Sequence, residues 1–158
     1  MRLSRRSEYG LRALVDLVRQ RDDGPVALAT LAQRNQLPAK FLEQIMATLK
    51  HAGIVRTTLG AHGGYALAAD PASVSIGRVI RLLDGALAPL GCVSLRYYEP
   101  CSCVDEATCP LRDVMLDVRD AMLAILDDQT LADLAARPGR ASIDPAGIHT
   151  EALAGLRP

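Results

Sequence analysis

The residues best suited to chemistry are four cysteines, Cys92, Cys101, Cys103 and Cys109, gathered within eighteen positions of a 158-residue chain that has no others. The chain opens Met1-Arg2-Leu3-Ser4-Arg5-Arg6 and runs straight into an amphipathic pattern. A secretory signal needs an uncharged apolar stretch there, and a membrane helix needs roughly 20 consecutive apolar residues. Neither is visible, so the expected address is the cytoplasm, with no membrane partner, where a stable disulfide framework is disfavoured. Thiolates crowded into one segment then suit a soft metal or an iron–sulfur cluster, for which they supply charge and covalency. Zinc is an alternative occupant, because Cys-x-Cys spacing does not single out iron. The three histidines, His51, His62 and His149, are scattered, and no nucleophile is paired with a base. An enzyme is not expected.

A second group of side chains suits recognition rather than reaction. Lys40, Glu43, Gln44 and Ala47 share one face of a helical period. Glutamate can accept from a cytosine amine, glutamine can pair with adenine, and small neighbours let such a face enter a major groove. Net charge is zero over the whole chain, but residues 1–69 carry ten Lys/Arg against five Asp/Glu, and residues 70–158 carry eight against thirteen. The positive half is the one bearing this face, as phosphate neutralisation requires. Aromatics are few (Tyr9, Phe41, Tyr65, Tyr97, Tyr98), which argues against single-strand binding by base stacking.

The elements that must position these residues follow from periodicity. Leu11, Leu14, Val15 and Val18 predict a helix over 4–20, ended by Asp23-Gly24-Pro25. A short helix is predicted over 28–34, with Leu28, Leu31 and Ala32 inward. A third runs over 38–51, with Pro38 at its first position and Gly53 past its end. The tight link between the last two predicts a helix-turn-helix. Ile54-Val55-Arg56-Thr57 reads as a strand, Gly60-Ala61-His62-Gly63-Gly64 as a turn and Tyr65-Ala66-Leu67 as the returning strand, which makes a wing. A phosphate-binding loop would need a following helix with Lys-Ser/Thr, and a strand follows instead. Ser75 should cap a helix over 76–84.

Cys92 to Cys109 shows no period. From Pro110 a helix of about 17 residues, roughly 25 Å long, carries Leu111, Met115, Val118, Met122 and Ile125, widened by Val114, Ala121 and Leu126. A chain this small has little to cover such a stripe, so a homodimer is expected. A short helix follows near 130–134, and residues 137–158 lack periodicity and read as a disordered tail. The fold class is mainly α: a winged helix-turn-helix with a small β-hairpin wing and a long dimerisation helix. It divides as 1–70 (DNA binding), 71–91 (linking helix), 92–110 (cysteine loop), 111–136 (dimerisation and short helix) and 137–158. Candidate DNA contacts are Ala39, Lys40, Glu43, Gln44, Lys50, Thr57, Gly60, His62 and Gly63.

The opening MRLSRRSEYGLRAL, the segment LPAKFLEQIMATLKHAGIV, the wing GAHGGYALA, the helix VSIGRVIRLLDG, the motif CPLRDV and the later TLADL, in this order over residues 1 to about 136, resemble the Rrf-type winged-helix transcriptional regulators. The resemblance implies a dimeric repressor or activator on a palindromic site in double-stranded promoter DNA, with Glu43 and Gln44 at base-contacting positions. Leu59 stands where some relatives place a basic wing residue. Iron–sulfur members hold a [2Fe–2S] or [4Fe–4S] cluster with three cysteines of this loop. Their last two are often separated by five residues, as Cys103 and Cys109 are, so Cys92, Cys103 and Cys109 are the implied set. Cys101 is then a spare or the true middle ligand, or all four cysteines ligate. Cluster-biogenesis repressors place a histidine three residues after the last cysteine, where this chain has Arg112, which cannot ligate. Nitric-oxide sensors use a carboxylate from the partner's first helix, and Glu8 stands at that position. Other relatives work without metal, through thiol oxidation or partner binding.

Overall fold

The computed structural model describes residues 3–60 and 63–138. Its first helix, α1 (Arg5–Arg19), begins where the Ser4 hydroxyl accepts from the Arg6 and Ser7 amides. It buries Leu11, Ala13, Leu14 and Leu17 against α2 (Leu28–Asn35) and α3 (Ala39–His51). Leu31, Leu42, Ile45, Met46 and Leu49 complete that core, all fully buried. Burying side chains of this size removes enough apolar surface to contribute about 1.5–3 kcal/mol each. The link between α2 and α3 is closed by Gln36, left-handed at φ 54°, with the Leu37 amide donating to the Ala32 carbonyl at 2.8 Å. Pro38 precedes α3 as its cap rather than occupying its first turn. Both placements suit a residue with no N–H to donate.

After α3, Gly53 takes a φ of 71° and turns the chain into β1 (Val55–Thr58). β1 pairs antiparallel with β2 (Gly64–Leu67), with Val55 opposite Leu67 and Thr58 opposite Gly64. Val26, ahead of α2, exchanges two 2.8 Å backbone hydrogen bonds with Tyr65. This bridge ties the wing's return strand to the segment that leads into α2. In the turn, the Gly63 amide donates to the Gly60 carbonyl at 2.9 Å. A Cβ on Gly63 would stand 2.3 Å from the Thr58 carbonyl oxygen, so the turn requires glycine there.

α4 (Ile76–Asp84) starts at Ser75, whose hydroxyl accepts from the Arg78 amide, and packs Val79, Ile80 and Leu83 onto α1. The long helix α5 (Pro110–Asp128) and the short α6 (Leu131–Ala136) close the chain. The Ile76 amide donates to the Gln129 carbonyl and the Leu131 amide to the Val74 carbonyl, while Arg81 makes a two-pronged pair with Asp127 at 2.6 and 3.1 Å. The start of α4 is thereby fixed to the junction of α5 and α6.

The apolar stripe on α5 divides in two. Leu123 and Leu126 pack on the core, and Met115 and Met122 are half-buried. Leu111, Val114, Val118, Ala121 and Ile125 are exposed at alternating spacings of three and four, and no α5 residue is fully buried. The exposed seam thus runs through Val114 and Ala121 rather than through the methionines. Among the described residues, no helix is long and apolar enough to cross a membrane. The expected tail falls mainly on 139–158, outside the described residues.

Candidate DNA interface and cysteine loop

Helix α3 turns Leu42, Ile45, Met46 and Leu49 inward, so its 3.6-residue period forces Ala39, Lys40, Glu43, Gln44, Ala47 and Lys50 onto the opposite, exposed face. Thr48, at its edge, accepts from Arg6 Nη2 at 2.8 Å, which pins the helix to the start of α1. No acidic residue beyond Glu43 interrupts this face. The wing brings an exposed Thr57 and Gly60 to the same end of the chain as α3, with Gly63 half-buried in the turn; His62 lies outside the described residues. Leu59, just past β1, is 94% exposed, an apolar side chain that nothing among the described residues covers.

The cysteine segment is an irregular loop, with one 3-10 turn at Gly91–Val93, strung from α4 to the start of α5. It is held by short-range bonds: the Glu99 amide to the Gly91 carbonyl, the Tyr97 amide to Ser94 Oγ, and the Ala107 amide and Thr108 hydroxyl to Asp105. The Thr108 hydroxyl, then the Ala107 amide, hold the Asp105 carboxyl below its ordinary value. One long-range anchor, Arg119 Nη1 donating to the Val93 carbonyl at 2.9 Å, ties the loop to the middle of α5.

The four thiols are gathered in series. Cys103 Sγ lies 3.4 Å from Cys109 Sγ, and Cys101 Sγ lies 3.8 Å from Glu106 Oε2. Cys92 is buried at the loop's root; burial pushes its thiol up, and the nearby Cys101 and Glu106 charges add to this. Hydrogen bonding with Cys101 and then Cys109 pushes the Cys103 thiol up to about 12. Cys109 caps the N-terminus of α5, where the Arg112 amide and then the Cys103 thiol pull its value down. This is the pattern expected of a thiol at a helix N-terminus. Glu106 also accepts from the Tyr98 hydroxyl at 2.8 Å, the main reason that phenol is raised, and pairs with Arg112 Nε at 3.2 Å.

The donor chemistry fits an iron–sulfur cluster or a soft metal. Two thiolates on one tetrahedral metal stand about 3.8 Å apart when each bond is near 2.3 Å, close to the Cys103–Cys109 separation. Among the described residues, no three His, Cys, Asp or Glu side chains already surround a single metal position, so occupancy requires the loop to contract. Glu8 is not part of this group within one chain. It is exposed on α1, pairs with Arg12 at 3.7 Å, and borders a hollow lined by Leu3, Ser4, Arg5, Tyr9 and Arg12. The carboxylate that does touch a thiol, Glu106 beside Cys101, has no place in any period. Its one sequence signal is its position midway between Cys103 and Cys109, three residues from each.

Comparison with known proteins establishes the family and the overall fold. Residues 3–137 match the Rrf2 family, described as iron-dependent transcriptional regulators. An rrf2-like HTH-type transcriptional regulator of Rhodobacter capsulatus is 40% identical over 138 residues, covering 85% of this chain and 92% of that protein. The structure of CymR, the global cysteine regulator of Bacillus subtilis, superposes with a TM-score of 0.74 at 32% identity, over 88% of this chain and 99% of that one. T. potens IscR superposes at 0.68 with 30% identity, over 89% and 94%. The chain therefore belongs to the Rrf2 family of winged-helix transcriptional regulators, which act by binding DNA and are not enzymes.

Proposed function

We propose that this regulator works as a homodimer on a palindromic promoter site and senses redox state, nitric oxide or cluster supply through an iron–sulfur cluster held in its cysteine loop. The observation that carries this reading is the placement of the thiols: four of them on a loop that caps α5 through Cys109 and is anchored to α5 through Arg119. The exposed α5 seam supports pairing with a second copy. The protein ligands are drawn from Cys92, Cys101, Cys103 and Cys109, with Glu8 of the partner subunit as the further ligand implied by the resemblance. When bound, the cluster supplies redox- and nitric-oxide-sensitive iron. The chain's own residues do the rest: Arg119 transmits the order of the loop to α5, and Arg81–Asp127 and the Ser75–Thr130 bridge pass it to α4, which packs on α1 beside α3. α3 presents Glu43 and Gln44 to base edges, Lys40 and Lys50 meet phosphates, and Thr57, Gly60, His62 and Gly63 carry the wing onto the backbone.

The test is anaerobic purification followed by a visible spectrum and iron, sulfide and zinc assays. Iron with acid-labile sulfide is the expected result. A protein with zinc, or with neither metal after anaerobic reconstitution, overturns the cluster.

A second reading has its own observation, the 3.4 Å approach of Cys103 to Cys109. In a metal-free protein these thiols can join as a disulfide, giving up two protons and two electrons to a peroxide that is reduced to water and alcohol. The similarity to CymR, a global cysteine regulator, is compatible with thiol-based control of this kind.

A further inference from the structure

We propose that Glu106 is an oxygen ligand of the loop's cluster, supplied from within the chain, and that it takes the place the partner's carboxylate would fill; this rests on the cluster reading above. Three observations converge on it. Its Oε2 lies 3.8 Å from Cys101 Sγ. Oxygen and sulfur donors on one tetrahedral metal stand about 3.6 Å apart for bonds near 2.1 and 2.3 Å. Cys103 and Cys109, at 3.4 Å, form a second such edge, so the loop presents its donors as two pairs, one all-sulfur and one of sulfur and oxygen.

The carboxylate is also mounted as ligating carboxylates are, by outer partners that orient it. Tyr98 donates to Oε2 at 2.8 Å, and Arg112 faces Oε1 at 3.2 Å. Arg112 Nε is buried yet makes no aligned hydrogen bond, so charge rather than a directed bond holds Oε1, and the group remains free to turn toward a metal. Arg112 stands three residues beyond the last cysteine and cannot ligate. Its role is to place the carboxylate that does and to balance the negative charge the thiolates bring. Glu8, by contrast, is exposed on another helix and already paired with Arg12.

The experiment uses the full-length protein reconstituted anaerobically with ferrous iron and sulfide, comparing wild type with Glu106→Gln, Glu8→Gln and Tyr98→Phe. Iron and sulfide content, the EPR spectrum of the dithionite-reduced protein and the rate of iron loss to a chelator are read for each. Glu106→Gln is expected to shift the EPR g-values and speed iron loss at least about tenfold, by more than Glu8→Gln does. Tyr98→Phe, which keeps the carboxylate, should speed iron loss to a smaller extent. Wild-type g-values and iron retention in Glu106→Gln overturn the proposal, the more so if Glu8→Gln shows the loss. If Glu106→Gln fails to fold, wild-type spectra and iron loss in Tyr98→Phe overturn it. A wild-type protein that takes up no iron and sulfide overturns the cluster reading itself, independently of any variant.

Discussion

Glu43 and Gln44 owe their position to the residues opposite them. Ile45 and Met46 are fully buried, so the two polar side chains one turn-face away have only solvent or a groove to enter. If they read bases, Glu43→Ala or Gln44→Ala should weaken the specific site by about 1–3 kcal/mol while leaving nonspecific DNA nearly unchanged. Lys40→Ala should instead weaken all sequences and reduce the salt slope by about one. Fluorescence anisotropy across a salt series separates the two behaviours; equal losses on specific and nonspecific DNA for Glu43→Ala would remove it from base reading. Leu59 adds a converse case: with 94% of its surface exposed just past β1, Leu59→Lys should gain affinity and steepen the salt dependence by about one. The exposed face of α3 was legible because a helical period sorts residues into sides. The Glu106–Tyr98–Arg112 group was not, since an irregular loop has no period and only the folded chain shows which carboxylate meets which thiol.

At the scale of elements, the helices, the wing and the cap at Ser75 follow from pattern and local chemistry, with boundaries within a residue or two. What periodicity did not reveal was the tying. The Val26–Tyr65 and Ser75–Thr130 bridges pair single residues across long separations, and such pairings carry no local signature. The α5 stripe was visible as one broad band, but its division into a core-facing and a free side depends on where α4 and the loop settle. Two outcomes follow. α6 is opened by a reciprocal cap in which Thr130 and Asp133 bond each other's backbone. Thr130→Ala should therefore lower stability by about 1 kcal/mol in denaturant unfolding, and no change would show the cap to be inert. Val118→Asp on the free seam should leave the monomer fold intact by circular dichroism and abolish dimers in analytical ultracentrifugation; an unaltered dimer would place the interface elsewhere.

For the whole molecule the account depends on coupling. The cysteine loop lies between α4 and α5, α5 carries the free seam, and α4 packs on α1 beside the recognition helix, so loop order and α3 spacing are joined by continuous packing. Such a path matters only if the two loop states differ in how well they suit the dimer geometry that fits DNA. A tenfold change in affinity requires about 1.4 kcal/mol of difference. On the proposed function, the charge division, positive over residues 1–69 and negative beyond, turns the half that bears α3 toward phosphate and the cysteine-bearing half away from it. The most direct test is an anaerobic anisotropy titration of a palindromic duplex, selected by the protein from a random pool, with the same preparation after reconstitution with iron and sulfide and again after chelation. Affinities differing tenfold or more, in either direction, are predicted; identical curves for the two forms would contradict the coupling on which the account rests.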